Sequence, residues 1–597
     1  MISSPQGSNE VIYANWNVTS DSSHGAIPIY SLPNYVADKK ANSTTGFKVD
    51  YESLPSGQLH PWTVAKRIEN KQKNRYKNII PYDHSRVKLE VLKNAPHSDY
   101  INASFIDGFK REREYIATQG PNSSSMDDFW RMVWQYDCRK IVMLTKCVEG
   151  EKNKCNKYWP DSTATYGNIL VTRISEDVRS HDTIREFTLE QHGSTRTVVQ
   201  FHYTSWPDMG VPQYATPLVK FIGMTKEHKT RGAGVGRTGT FITLDAMLDQ
   251  AEVEGVVDVY NFVKNMREQR IKMVQVAEQY EFIFETLMET FTCGDTSITQ
   301  DDFHHVFPSL SLPSPDTGSS VLQEQFAHLD TLTVKPKDSD HRAAKDPANV
   351  NKNRYQDKFP TDKSRPYLST EVENGTNYIN ASFLPGYTRK DAFIGTQSPL
   401  PHTVVDFWRL VYDYNITTIV MLNGRSSEHK SMAQYWPDGH QREAAYGPFV
   451  VSLTEEDLDR NFSSRTFKLS STSSQSRDRT VHQLELTTWP LAAEVASSPE
   501  SVVELHQRAI GLNGSRGKST PILVHCGDGE GATGTFVAAS SVLDRLAAER
   551  VIDVFQACKR LRAVRQGAVA SLAQYEFIYT IVKSYLDSFE VYVNCRV

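Results

Sequence analysis

The sequence predicts an α/β fold used twice: two tandem domains, each a twisted mixed β-sheet flanked by helices. Three observations carry this reading. First, whole motifs recur at an offset of about 277 to 279 residues, and a period that long means two complete domains, not a solenoid. Second, short apolar runs such as Ile141-Val142-Met143-Leu144 and Thr417-Thr418-Ile419-Val420-Met421-Leu422 have the length and β-branched content of buried central strands. Third, a glycine-rich loop runs straight into the helical stretch from Thr238 to Val253. Strand, glycine loop and helix together suit an α/β domain with an anion site at the helix N-terminus.

Composition agrees with that class. At 597 residues, roughly two to four domains are expected from length alone. With 39% hydrophobic and 23% charged residues, the chain can bury sizeable cores. A net charge of −5 with Lys and Arg interspersed points away from nucleic acid. Seven cysteines without metal-ligand spacing read as reduced thiols rather than a disulfide framework, and no metal is expected. No run reaches the ~18 apolar residues of a membrane span, so membrane attachment would come only through a segment absent from this chain.

In chain order, residues 1–45 are Ser/Asn-rich with one apolar stretch, Ile27-Pro28-Ile29-Tyr30, and read as a flexible arm with one docked helix. Residues 46–292 form the first domain. Residues 293–320, rich in Ser, Thr, Asp and Pro, read as a linker. Residues 321–590 form the second domain, entered through a charged loop at 334–350. The repeat itself is dense. Lys73-Asn74-Arg75-Tyr76 answers Lys352-Asn353-Arg354-Tyr355, and Tyr100 to Phe105 answers Tyr378 to Phe383. Ile116 to Pro121 answers Ile394 to Pro399, Asp128-Phe129-Trp130-Arg131 answers Asp406-Phe407-Trp408-Arg409, and Tyr158-Trp159-Pro160-Asp161 answers Tyr435-Trp436-Pro437-Asp438.

Each half carries an incomplete phosphate loop. The first, Gly234-Val235-Gly236-Arg237-Thr238-Gly239, has an arginine and no cysteine; the second, Val524-His525-Cys526-Gly527-Asp528-Gly529-Glu530-Gly531-Ala532-Thr533-Gly534, has a cysteine and no arginine. A complete loop would join a thiolate nucleophile, backbone N–H groups around phosphate oxygens, and a bidentate guanidinium.

Together these motifs resemble the tandem cytoplasmic domains of receptor-type protein tyrosine phosphatases, over about residues 45 to 590. Asp50-Tyr51-Glu52-Ser53-Leu54 and Gly255-Val256-Val257-Asp258-Val259-Tyr260 resemble the kappa/mu-type subgroup most. The resemblance implies phosphotyrosine hydrolysis through a cysteinyl-phosphate, with no metal or cofactor, on the cytoplasmic side of the plasma membrane as part of a receptor, or in the cytoplasm if the chain is complete. It makes the amino-terminal arm juxtamembrane. It casts Tyr76 as the wall of a deep cleft, where a core tyrosine is the plain alternative. Gly234, Val235, Gly236 and Arg237 become the phosphate cradle. Asp208 of Trp206-Pro207-Asp208 becomes the general acid; Gln275 and Gln279 orient the attacking water, against a plain reading as solvated helix-end amides. Lys154 with Glu149 resembles the loop that supports the acid, or is a surface charge pair.

The nucleophile's position in the first domain falls on Arg231. Trp489 stands 37 positions before Cys526, whereas Trp206 stands 25 before Arg231, a deficit of about 12 residues. The missing piece matches Pro521 to Cys526, an apolar strand plus the nucleophile, and Met224 to Thr230 cannot replace it. The chain is therefore expected to be inactive as written, through a real deletion or a misjoined exon edge. The intact remainder of the first site favours the second explanation.

The second domain is degenerate: Leu491 stands for the acid, Ala532 for the arginine and Ala570 for a glutamine. Asp528 and Glu530 add carboxylates expected to face the substrate. Cys526 reads as a buried structural thiol, with a redox-responsive thiol as the sharper alternative. The rival to an enzyme is a pseudophosphatase scaffold that binds signalling partners. Expected partners are phosphotyrosine proteins and, through Tyr13-Ala14-Asn15, the SH2 domain of an adaptor.

Overall fold

A computed structural model describes residues 25–41, 46–179, 181–207, 210–212, 214–227, 236–315, 317–333, 336–424, 432–437, 441–459, 461–472, 478–514 and 520–594. The chain divides into two compact units, the first mainly residues 43–212 and 219–287, the second mainly 288–597.

The second unit holds the larger sheet. Its eight-stranded mixed sheet runs, edge to edge, Ala381–Leu384, Phe393–Gln397, Ile522–Cys526, Thr418–Met421, Arg479–Leu486, Phe462–Ser471, Phe449–Leu458 and Glu443–Tyr446. Ile522–Cys526 lies parallel to both neighbours, pairing Gln397 with Cys526 on one side and Met421 with His525 on the other. All five of its residues are buried. A strand covered on both faces must be apolar throughout, which is why Ile-Leu-Val stands there. Trp408 anchors the core below, its indole N–H donating to the Tyr435 carbonyl at 2.7 Å.

In the first unit the same sequence pattern gives two separate larger sheets among the described residues, beside two short two-stranded pairs. Arg86–Lys88, Tyr100–Gly108 and Arg111–Thr118 form one of three strands. Lys140–Met143, Ser194–Tyr203, Asp182–Gln191, Ile169–Val178 and Thr163–Tyr166 form another of five. Lys140–Met143, expected as a central strand, pairs only with Ser194–Tyr203 and so is an edge among the described residues. Its counterpart Thr418–Met421 is central because Ile522–Cys526 covers its other side. The helix expected from Thr238 to Val253 spans Gly236–Glu254.

Two stretches differ from expectation. Segment 293–320, expected as a linker, carries a strand, Ile298–Thr299, paired with Val551–Ile552, and a helix, Phe303–Leu310. Aromatic burial explains it: Phe303 is fully buried, and Phe307 stacks on Tyr579 at 5.6 Å. Segment 334–350, expected as a loop, holds a 3-10 turn at Asp338–His341 and a short helix at Arg342–Lys345. In the arm, a 3-10 turn at Ile29–Ser31 leads into the α-helix Leu32–Ala41; Tyr35 packs on Phe284 with ring centroids 5.6 Å apart.

Candidate active sites

In the first unit, a cavity of about 640 Å³ is lined by Tyr76, Thr118, Gln119, Met143, Arg237, Gln275 and Gln279, among others. Tyr76 stands 42% exposed, as a ring on a cleft wall must, and not as a core tyrosine. Gly236 opens the helix against Gln275: a Cβ there would lie 3.1 Å from the Gln275 side-chain oxygen. The Gln275 backbone N–H donates to Gln279 Oε1 at 2.9 Å, tying the two glutamines together; Gln279 is buried, unlike a solvated amide. Asp208, Arg231, Gly234 and Val235 lie outside the described residues, as does Tyr13.

Arg237 is held by a carboxylate. Its Nη2 donates to Glu149 Oε2 at 3.0 Å and to the Pro207 carbonyl at 3.0 Å, and its Nη1 to the other Glu149 oxygen and to the Leu144 carbonyl. Burial works to raise the Glu149 carboxyl, but the guanidinium, Thr145 and the Lys146 amide outweigh it and hold it low. The surface-pair reading of Glu149 with Lys154 is thereby corrected. The Glu149 side chain is 1% exposed and Lys154 stands 3.9 Å from it, because its principal partner is the arginine of the phosphate loop.

Sequence reasoning missed what sets the glutamine loop. Val274 has φ +56° and Val569 has φ +56°, a left-handed conformation that strains a β-branched residue. A buried arginine pins each. Arg267 donates to the Met273 and Val274 carbonyls at 3.1 and 2.9 Å, and Arg562 to those of Ala568 and Val569 at 3.2 and 2.7 Å. The reason lies in the helix that follows the phosphate loop. A Cβ at Gly239 would stand 2.3 Å from the Val274 nitrogen, and one at Gly534 2.7 Å from the Val569 nitrogen. The recurrence of Arg-x-x-Arg at 267–270 and 562–565 was the available signal.

The second unit's loop binds its own anion. Asp528 Oδ1 accepts from the Glu530 N–H at 2.9 Å, the Gly531 N–H at 3.3 Å and the Cys526 thiol at 3.2 Å, and Lys358 grips Oδ2 at 2.6 Å. These amides are the donors a phosphate would use. Leu491, in place of the acid, leans over the loop: a Cβ on Gly527 would fall 2.5 Å from its Cδ1. The expectation that Asp528 and Glu530 both face the substrate is corrected. Glu530 turns inward to buried Arg565, accepting at 2.8 Å, since an inward carboxylate needs a cation. Cys526 is 1% exposed; burial, then the Asp528 charge, push its thiol up to about 12, so almost no thiolate forms at neutral pH. A redox-responsive thiol needs that thiolate. Ala532 is buried and brings no donor. The Ala570 N–H donates to Gln574 at 2.8 Å, matching Gln275 and Gln279 with one amide side chain lost.

A pH dependence follows. Burial would raise the Asp528 carboxyl, but Lys358, the Glu530 amide and the thiol hold it below its usual value. A folded-state pKa below the unfolded ~3.9 gives stability that is present above that pH and lost as pH falls through the folded value. The urea midpoint of the second unit should therefore drop on acidification below about pH 4, and less so in Asp528→Asn. Equal acid sensitivity in both proteins would refute this.

Among the described residues no group of His, Cys, Asp and Glu is placed to hold a metal, and no helix is long and apolar enough to cross a membrane.

The cleft thus brings an aromatic ring, Tyr76, together with Arg237 and the N-terminus of the helix Gly236–Glu254. The chain belongs to the protein-tyrosine phosphatase family, whose model matches residues 70–289 and 349–584. It is 37% identical over 590 residues to human receptor-type tyrosine-protein phosphatase alpha, covering 96% of this chain and 73% of that protein. It is 38% identical over 582 residues to chicken receptor-type tyrosine-protein phosphatase U, covering 95% and 40%. Against the zebrafish phosphatase F of the same type it is 37% identical over 594 residues, covering 97% and 31%. The chain thus spans less than half of the latter two.

Proposed function

We propose that the chain is the intracellular region of a receptor-type protein tyrosine phosphatase, of the kappa/mu-type subgroup, that acts on phosphotyrosine proteins at the cytoplasmic side of the plasma membrane. As written, it does not turn over. One observation carries the second statement. The strand that brings Cys526 to the second loop has no counterpart among the described residues of the first unit, and Arg231 holds the nucleophile's position. Tyr76, Arg237, Gln275 and Gln279 still line one cleft, which supports a phosphatase scaffold with one part removed. Purified chain should release no phenol from an aryl phosphate above background. Activity that a thiol alkylator abolishes would sink this reading.

The second reading is a pseudophosphatase scaffold. The Asp528 carboxylate seated on the second loop's amides favours it for that unit, because a bound internal anion excludes an external one.

Tyr13 adds a partner. Phosphorylated Tyr13-Ala14-Asn15 has the chemistry an adaptor SH2 domain recognises: a phosphate for its arginine and an amide for its backbone. A phosphopeptide spanning Ser8 to Thr19 should bind an Asn-selective SH2 domain, and Asn15→Ala should cost at least ~1 kcal/mol. Equal binding by both peptides would remove the site.

A further inference from the structure

The cavity of the first unit is more than a substrate cleft. Thr118 and Gln119 line it from one sheet, and Ile141, Val142 and Met143 from the other. Their counterparts by the internal repeat, Thr396 and Gln397 with Ile419, Val420 and Met421, are the residues that flank Ile522–Cys526 in the second unit. The space therefore coincides with the place of a parallel strand. Both bordering strands, Arg111–Thr118 and Lys140–Met143, pair on one side only among the described residues. Free parallel edges are templates for another strand. Side-chain chemistry agrees. In the second unit, His525 Nε2 lies 2.9 Å from the Tyr435 hydroxyl. In the first, the Tyr158 hydroxyl turns to the Met143 sulfur at 3.8 Å, a weak acceptor. The residues between the preceding helix and Gly236, His228 to Val235, contain Lys229, Arg231, Gly232 and Gly234 and no apolar run, so the chain's own connection lacks the composition of a buried strand.

We propose that this slot accepts an extended apolar segment in trans, and that a peptide with the sequence of Thr520 to Gly527 enters it as a parallel strand between Arg111–Thr118 and Lys140–Met143. The occupant is a short strand with apolar residues at three successive positions followed by histidine. Its register follows the second unit: the histidine opposite Met143 and the next residue opposite Gln119. The proposal rests on the reading that the first domain lacks this strand. It does not depend on catalysis, because the peptide is made with serine in place of the Cys526 equivalent.

The test is hydrogen exchange and thermal unfolding of the full chain with that peptide. Amides within Tyr115–Gln119 and Ile141–Met143 should become protected, while Phe393–Gln397 stays unchanged. At a peptide concentration about 100-fold above Kd, the first unit's unfolding midpoint should rise by roughly 5–10 °C. A control peptide with aspartate at the Leu523 equivalent should do neither. No protection, or equal protection by the control, overturns the proposal. So does a chain that already protects these amides and elutes as a dimer without peptide, since the occupant is then a second copy. Hydrolysis by the chain alone would overturn the inactive reading and leave the exchange result to stand or fall by itself.

Discussion

Inserting a strand and His-Cys segment of about 12 residues before Gly232 should raise aryl phosphatase activity from background to that of a working enzyme. The expected gain is large. Loss of a covalent nucleophile costs on the order of 10⁶ in kcat in the one well-measured serine protease case, and the insertion restores both a nucleophile and the strand that aims it. The cleft to receive it is already assembled, with Arg237 positioned by Glu149 and Gln275 tied to Gln279. In the repaired protein, Asp208→Ala should lower kcat by ~10²–10⁴. Arg237→Ala should lose about 1.5–3 kcal/mol for each charge-assisted bond it made to the phosphate. A repaired enzyme indifferent to Asp208→Ala would show that Trp206-Pro207-Asp208 is not the acid loop.

The same insertion should stabilise. The inserted strand would pair with both half-paired bordering strands and bury apolar side chains at about 25 cal/mol per Å². The repaired first unit should unfold at a higher urea midpoint than the parent.

Strands and helices were legible because their signals are local. Ile141 to Leu144 and Thr417 to Leu422 are apolar runs of strand length, and the helix beginning at Gly236 follows a glycine loop. Spacing raises the expectation of a missing strand, since two copies of one domain provide an internal ruler, and no counterpart of Ile522–Cys526 occurs among the described residues of the first unit. What stayed hidden was pairing over distance. Glu149 with Lys154 reads from sequence as either a supporting loop or a surface pair, because its arginine lies 88 positions on. The Ser, Thr and Pro content of 293–320 reads as a linker and outweighs two phenylalanines: Phe303 stacks on Phe307, and Phe307 on Tyr579 far downstream. The strain at Val274 and Val569 is set by a helix passing too close for a side chain; the repeated Arg-x-x-Arg at 267–270 and 562–565 marks the arginines that pin the carbonyls, not the strain itself.

Glu530 is the clearest of these hidden pairs, and it sets the largest stability effect expected in the second unit. Arg565 is 2% exposed and Glu530 7%. Arg565 donates to Glu530 at 2.8 Å and to Asn380 Oδ1 at 2.9 Å. In the first unit, Arg270 sits in the equivalent place. It bonds Asn102 at 2.8 Å and Ser104 at 3.1 Å, and burial draws it down to about 10. The residue preceding Gly236 there is Val235, which offers no carboxylate. Arg565→Met should cost about 3–5 kcal/mol, because it leaves a buried carboxylate without its cation. Burial already raises the Glu530 carboxyl against the pull of Arg565, and loss of the arginine raises it further. The penalty belongs to the charged form, so it should be full above the new folded pKa and shrink as pH falls through it. Adding Glu530→Gln to Arg565→Met removes the stranded charge and should recover much of the loss, a coupling of about 0.5–3 kcal/mol. Urea unfolding of the four proteins of the cycle, at pH 7 and again at pH 5, measures this. A single Arg565→Met that loses less than ~1 kcal/mol, or a double variant as unstable as the single at both pH values, would mean that Glu530 finds solvent, and that the loop keeps its shape by the Asp528 contacts alone.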